Sequence, residues 1–309
     1  LCDHARHEIL SGSIADRRRR FEMSETVSNA RGVERVLRAM DTSDGAGVSL
    51  RRSIGTPQLD MLDPFLMLDS LSTDNPDEYI AGFPEHPHRG FETVTYMVEG
   101  AMRHKDSMGN EGVLRSGGGQ WMTAGSGIVH SETPEQENGL LQGFQLWINL
   151  PAKDKMIDPR YQNMEPDELP EVSPVEGAQL RLLAGSMHGA TGPINGISTD
   201  PVFVDAKLDA GAKLTVPLPE GHTAVVYVFV GDAVVGGKDV PTHHLAILKD
   251  GDGVTLKGGP DGGRMLVIAA RPIHEQVVRY GPFVMSSKQE LMQAFDDYQR
   301  GNFVRKAAS

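Results

Sequence analysis

The chain has 309 residues, 39% of them hydrophobic, enough to bury one large core or two of ordinary size. Its net charge of −12 argues against a nucleic-acid-binding surface, and its single cysteine, Cys2, excludes an intramolecular disulfide framework and a cysteine-rich zinc site. No apolar run approaches the roughly 20 residues of a membrane span, and no apolar segment follows the first charges as in a signal peptide, so a cytoplasmic protein with no membrane partner is expected.

Taken in chain order, residues 1–22 show neither a helical nor a strand period and end in the run Arg17–Arg20. Residues 1–32 are expected to form a disordered extension, with Met23 as the true start; a basic arm for an acidic partner is the alternative. A chance metal cluster of Cys2, His4 and His7 carries little weight. Residues 49–72 read as loops with short apolar pieces. The stretch FPEHPHRGFETVTYMVEG, residues 83–100, reads as a strand ended by Gly100. If the extended conformation holds through Arg89–Gly90, Glu92, Val94, Tyr96 and Val98 share a face with His86 and His88.

Gly109-Asn110 predicts a hairpin turn, and a further strand alternates through Phe144, Leu146, Ile148 and Leu150. Short strands punctuated by turns predict an all-β barrel or sandwich. Residues 151–175 hold five prolines and read as a connecting segment. A second run of short strands follows with a similar pattern, which predicts a second β-domain and an old duplication. Ser287 and Glu290 make a capping box for a closing helix, with Leu291, Ala294, Phe295 and Tyr298 on one face and Gly301 as its stop. The expected divisions are 33–160, 161–285 and a helix over 286–303.

The chemistry lies in paired residues at period two. In a strand, residues i and i+2 point the same way, so His86-x-His88 can deliver two imidazoles to one cation. His130-x-Glu132 is a second such pair. Either pair alone is weak evidence; the two together, each flanked by glycines in one β-rich segment, predict a metal site of three histidines and one carboxylate. Glu92 is a fifth candidate. His104 reads as part of a solvated hairpin, His243 and His244 as structural, and His188, His222 and His274 as isolated core or surface residues.

The runs EHPHRGFETVTYMVEG, SGGGQWMTAGSGIVHSE, GFQLWINLP and PRYQ, with the closing GPFVMSSKQELMQAFDDYQRGNF, closely resemble the pirin family of the cupin superfamily over residues 33–303. The resemblance implies a bicupin: two antiparallel jelly-roll β-barrels and a short carboxy-terminal helix. It implies one divalent metal in the first barrel, usually Fe(II), with Ni, Mn, Co or Zn compatible with the donors. The family ligands fall on His86, His88, His130 and Glu132. Glu92, which a generic cupin pattern would make a ligand, falls behind them, and the second barrel is expected to be metal-free. The implied activity is quercetin 2,3-dioxygenase, acting on a flavonol and O2, with Glu132 taking the proton of the flavonol 3-hydroxyl. A redox-sensing regulator of other proteins is the alternative, and a purely structural metal the third reading. Phe91, Met97, Trp121 and Met122 are expected near the site.

Overall fold

The computed structural model describes residues 27–136 and 138–305, so the Cys2, His4, His7 cluster and the Arg17–Arg20 arm lie outside the described residues. The expected all-β, two-barrel architecture is present. A seven-stranded antiparallel sheet runs in the order Arg160–Met164, Gly119–Thr123, Phe91–Glu99, Leu141–Asn149, Phe65–Thr73, Val48–Ile54 and Met40–Asp44. A four-stranded sheet, Phe83–His88, Ile128–Pro134, Ala101–Asp106 and Glu111–Arg115, completes the first barrel. A nine-stranded sheet built around Thr223–Val235 and Gly253–Ala270 forms the second.

Thr223–Val235 shows why the barrels pack as they do. Its run Ala-Val-Val-Tyr-Val-Phe-Val has no polar face, as expected of a strand buried on both sides. Ala224, Val226 and Val228 fill the second barrel together with Leu180, Leu182, Val204 and Val267. Val225, Tyr227 and Phe229 face the other way, onto Tyr96, Phe144 and Leu146 of the first barrel. One core therefore spans both barrels. Where the two sheets meet, the Tyr96 hydroxyl donates to Asp205 Oδ2 at 2.6 Å, and Arg264 grips the same carboxylate.

The sheets do not divide where the sequence places the boundaries. Val33–Arg38, expected to open the first barrel, pairs with His244–Leu248 at the edge of the nine-stranded sheet. Arg160–Met164 stays with the first barrel, paired to Gly119–Thr123. Residues 27–32, expected to be disordered, pack on the second barrel instead. Arg31 is buried there, its guanidinium donating to the carbonyls of Pro219, His222 and Lys249. These long-range carbonyl acceptors have no signature in the local text.

The closing helix, Lys288–Gln299, has the expected cap: Glu290 N donates to Ser287 Oγ at 3.2 Å, and Ser286 N donates to Glu290 Oε2 at 3.1 Å. Gly301 follows at φ +74, a left-handed stop that glycine tolerates. Before the helix, the hairpin Val278–Tyr280 and Phe283–Met285 returns from the second barrel to the first. Among the described residues, no helix is long and apolar enough to cross a membrane.

Candidate metal centre

Phe83–His88 runs antiparallel to Ile128–Pro134, with His86 directly opposite His130 and His88 opposite Ile128. A register shift between His130 and Glu132 places Glu132 opposite Phe83. Period two thus brings three imidazoles to one point, their ligand atoms all within 4.8 Å of one another. His88 and His130 are 1% and 2% exposed. Both nitrogens of His88 and Nε2 of His130 are buried with no hydrogen-bond partner. Buried polar atoms are normally satisfied, and each imidazole offers one ligand nitrogen, so an unpartnered nitrogen of His88 beside the unpartnered Nε2 of His130 fits a cation. Burial, with the neighbouring imidazoles, holds His88 and His130 well below the usual histidine range. Both are therefore neutral at physiological pH, the state a ligand needs.

The backbone and a fourth histidine set the tautomers. His86 Nδ1 donates to Pro84 O at 2.8 Å, which leaves Nε2 with its lone pair toward the centre. His130 Nδ1 lies 3.4 Å from His104 Nδ1, so with the His130 Nδ1–H donating to His104, the lone pair of His130 sits on its unpartnered Nε2. His104 corrects the sequence reading: it is 1% exposed, not solvated. Ala101–Asp106 alternates, with Met102, His104 and Asp106 turned inward, and His104 sits across the ladder from Glu132. That alternation was readable in the text. Replacing His104 with leucine, which is closer to histidine in volume, removes the ring nitrogen facing His130 and is expected to weaken metal binding about 10–100-fold, measurable by competition with a chromophoric chelator.

Glu132 is buried and lines the same cavity, but its carboxylate lies outside the three-histidine cluster. Thr95 Oγ1 donates to its Oε1 at 3.2 Å and Gln145 Nε2 to its Oε2 at 3.0 Å. The Trp147 indole N–H, which can only donate, bonds Gln145 Oε1 at 3.1 Å and so turns the amide NH2 toward Glu132. Each carboxylate oxygen keeps a further lone pair. The sequence reading missed Thr95, Gln145 and Trp147. Gln145 was findable as a polar residue on the face opposite Phe144 and Leu146.

Glu92 is corrected. Gly90, at φ +86, bends the chain out of the four-stranded sheet and into the seven-stranded one. Parity is reset there, and Glu92 falls on the face of Val94 and Tyr96. Thr95 and Met97, on the opposite face, line the cavity. Glu92 Oε1 accepts from Thr123 Oγ1 at 2.6 Å, while Oε2 is buried without a partner. Burial lifts its pKa to about 7 from 4.5. Between these values the native state holds a proton that the unfolded chain has released, so the stability this group contributes below pH 4.5 is lost as pH rises to 7. Glu92→Gln is therefore expected to stabilise the protein by about 3 kcal/mol at pH 8 and by much less at pH 5. Urea unfolding at the two pH values checks this, and an equal gain at both would refute it.

His86, His88 and Glu132 line a cavity of about 800 Å3, within the range of small-molecule sites. Leu50, Leu71, Phe83, Met102 and Phe144 supply apolar walls, and the hairpin residues Arg279–Pro282 supply another. Of the residues expected near the site, Met97 lines the cavity, and Phe91 packs its ring 5.1 Å from that of His88. Trp121 instead belongs to the core between the barrels, and Met122 packs with Ala124 and Ile128.

Comparison with known proteins follows the same lines. A family model described as Pirin matches residues 47–148, which include all three histidines and Glu132, and a second, described as the Pirin C-terminal cupin domain, matches residues 203–304. A Pseudomonas aeruginosa protein provisionally named a quercetin 2,3-dioxygenase is 47% identical over 84% of this chain and 93% of its own. The crystal structure of a quercetin 2,3-dioxygenase from Acinetobacter baumannii aligns with a TM-score of 0.82 at 34% identity, over 89% of this chain and 98% of that one. A bacterial pirin from Escherichia coli, solved in complex with nickel(II), aligns with a TM-score of 0.59 at 22% identity over 77% of this chain and 99% of its own, a likeness of fold alone.

Proposed function

Because the chain belongs to the pirin family, we propose that it is a metal-dependent dioxygenase that cleaves quercetin-type flavonols with O2. The observation that carries this reading is the trio of clustered imidazoles, two of them with unpartnered buried nitrogens, beside a cavity that also holds a buried carboxylate. His86, His88 and His130 hold the ion, and Glu132 is the proposed fourth donor. The proposed ion is Fe(II), although the donor set also accepts Ni, Mn, Co or Zn, and the Escherichia coli pirin was solved with nickel(II). When bound, it supplies a Lewis acid with open positions and, as a redox metal, a path for electrons to dioxygen.

The chain's own residues do the rest. Leu50, Leu71 and Phe144 enclose flat aromatic rings and exclude water. Glu132 accepts the proton of the flavonol 3-hydroxyl on a free lone pair. Thr95 and Gln145 hold its carboxylate in one orientation as it does so, and Trp147 holds Gln145. The net reaction consumes one O2, breaks the C2–C3 and C3–C4 bonds of the flavonol, places one oxygen atom on C2 and one on C4 to leave an ester-linked acid, and releases C3 with its oxygen as carbon monoxide. The single cysteine accords with a cytoplasmic setting, and no nucleic-acid or membrane partner is proposed.

The test is to load the protein anaerobically with iron(II), add quercetin in air, and follow the flavonol absorption band and the carbon monoxide released. Catalytic loss of the band supports the proposal. Quercetin binding without turnover overturns it, in favour of a non-enzymatic regulator.

A further inference from the structure

Arg89, the residue after His88, is 3% exposed. Each of its three guanidinium nitrogens has a partner. Nε donates to Ser126 O at 2.6 Å, Nη1 to Asp297 Oδ2 at 2.6 Å, and Nη2 to Phe303 O at 3.1 Å. The cation also lies 4.4 Å from the centre of the Phe303 ring. Its backbone is held as well: Arg89 N donates to Pro282 O, and Val284 N to Arg89 O, at 3.2 and 3.0 Å.

These partners come from two places. Ser126 belongs to the turn that leads into Ile128–Pro134, the strand carrying His130, and Gly90 N donates to Gly125 O in the same turn at 2.8 Å. Arg89 thus ties the chain leaving one ligand strand to the chain entering the other. Pro282, Val284, Asp297 and Phe303 all belong to the closing hairpin, the helix and the residues just after it. Lys155 reinforces the same point, its buried ammonium shared by Gly90 O at 2.8 Å and Val284 O at 3.1 Å. Gly90 leaves no slack, since a Cβ there would lie 2.0 Å from Val284 O.

A buried guanidinium with these bonds could merely stabilise the fold. Two features give it more to do. It joins the approaches to His88 and His130 through one rigid group, and metal ligands must be held to within about 0.5 Å to bind well. Its only carboxylate partner, among the described residues, is Asp297, on a helix whose one fully buried side chain is Ala294. The rest of that helix's apolar docking is half-buried Leu291 and Phe295 against the buried rings of Phe283 and Phe303.

We propose that Arg89 is a positioning residue for the metal centre, locked by Asp297 and Phe303, so that docking of the carboxy-terminal helix sets how tightly His88 and His130 hold the ion. The inference rests on the three histidines being the metal site, and it makes metal retention depend on a residue 208 positions along the chain from its partner.

The experiment loads the full chain with cobalt(II) and measures its visible d–d spectrum and its rate of release to excess EDTA. Asp297→Ala is expected to release cobalt about 10–100-fold faster, with a changed d–d spectrum, and Asp297→Glu to restore much of the wild-type rate. A purely structural role would lower the melting temperature of the metal-free protein and leave the spectrum as it was. Should Asp297→Ala fail to fold, Phe303→Leu removes the stacking partner and keeps the ion pair, with faster release again expected. Wild-type release rates and spectra in the folded variants would overturn the latch alone. Failure of the wild-type chain to take up cobalt would overturn the metal-site assignment, and the latch with it.

Discussion

His88→Ala is expected to cost about 10²–10³ in metal affinity. Structural sites with four ligands bind their ion with roughly 10–16 kcal/mol, so one ligand in four carries about 3–4 kcal/mol. The loss should fall at the upper end. His88 is the most buried of the three histidines, both of its nitrogens lack any other partner, and alanine leaves a void against Phe91 and Trp147 that no other donor can fill. Metal content after dialysis, by plasma emission, checks this at once, and competition with a chelator supplies the magnitude. Full occupancy in the variant would remove His88 from the centre. The same variant should abolish flavonol cleavage, since His88 belongs to the three-histidine cluster that would hold the ion on which cleavage depends.

The second large effect is expected at Glu132. Glu132→Gln should lower flavonol cleavage per bound metal about 10²–10⁴-fold while some of the metal stays bound, because general-base contributions are of that size and the three histidines are untouched. The amide has no basic oxygen to take the 3-hydroxyl proton. Its new NH2 would also face the NH2 of Gln145, which Trp147 holds in place, so the side chain is expected to turn. Single-turnover decay of the quercetin band, normalised to bound metal, separates the two effects. Unchanged turnover would call for another base. Glu92 is not the replacement: the bend at Gly90 puts it on the far face of its strand, bonded to Thr123. Its own substitution should report on pH-dependent stability and leave flavonol cleavage alone.

Much of the site was legible because metal ligands on one strand obey a local rule. His86 and His88, like His130 and Glu132, are spaced so that a pleated backbone turns each pair to one side, whatever the rest of the chain does. The capping box at Ser287 and the two-sided apolar run of Thr223–Val235 are local in the same sense. The same rule misled at Glu92. Period two holds only while the backbone stays extended, and one glycine at positive φ resets it. His104 was misplaced for a different reason: its polar neighbours Arg103 and Lys105 point outward, while His104 points in.

By itself, then, the sequence determined the β-rich class, the two imidazole and carboxylate pairs, and the closing helix, all set by the conformation of neighbouring residues. Only the tertiary structure decided that Val33–Arg38 belongs to the far sheet, that Gln145 and His104 brace Glu132 and His130, and that Asp297 and Phe303 hold Arg89 beside a candidate ligand in the first third of the chain. Those contacts join segments from a dozen to more than 200 residues apart, and no local pattern encodes them. They arise when the two barrels bury their shared core and thereby bring their remaining donors and acceptors within reach of one another.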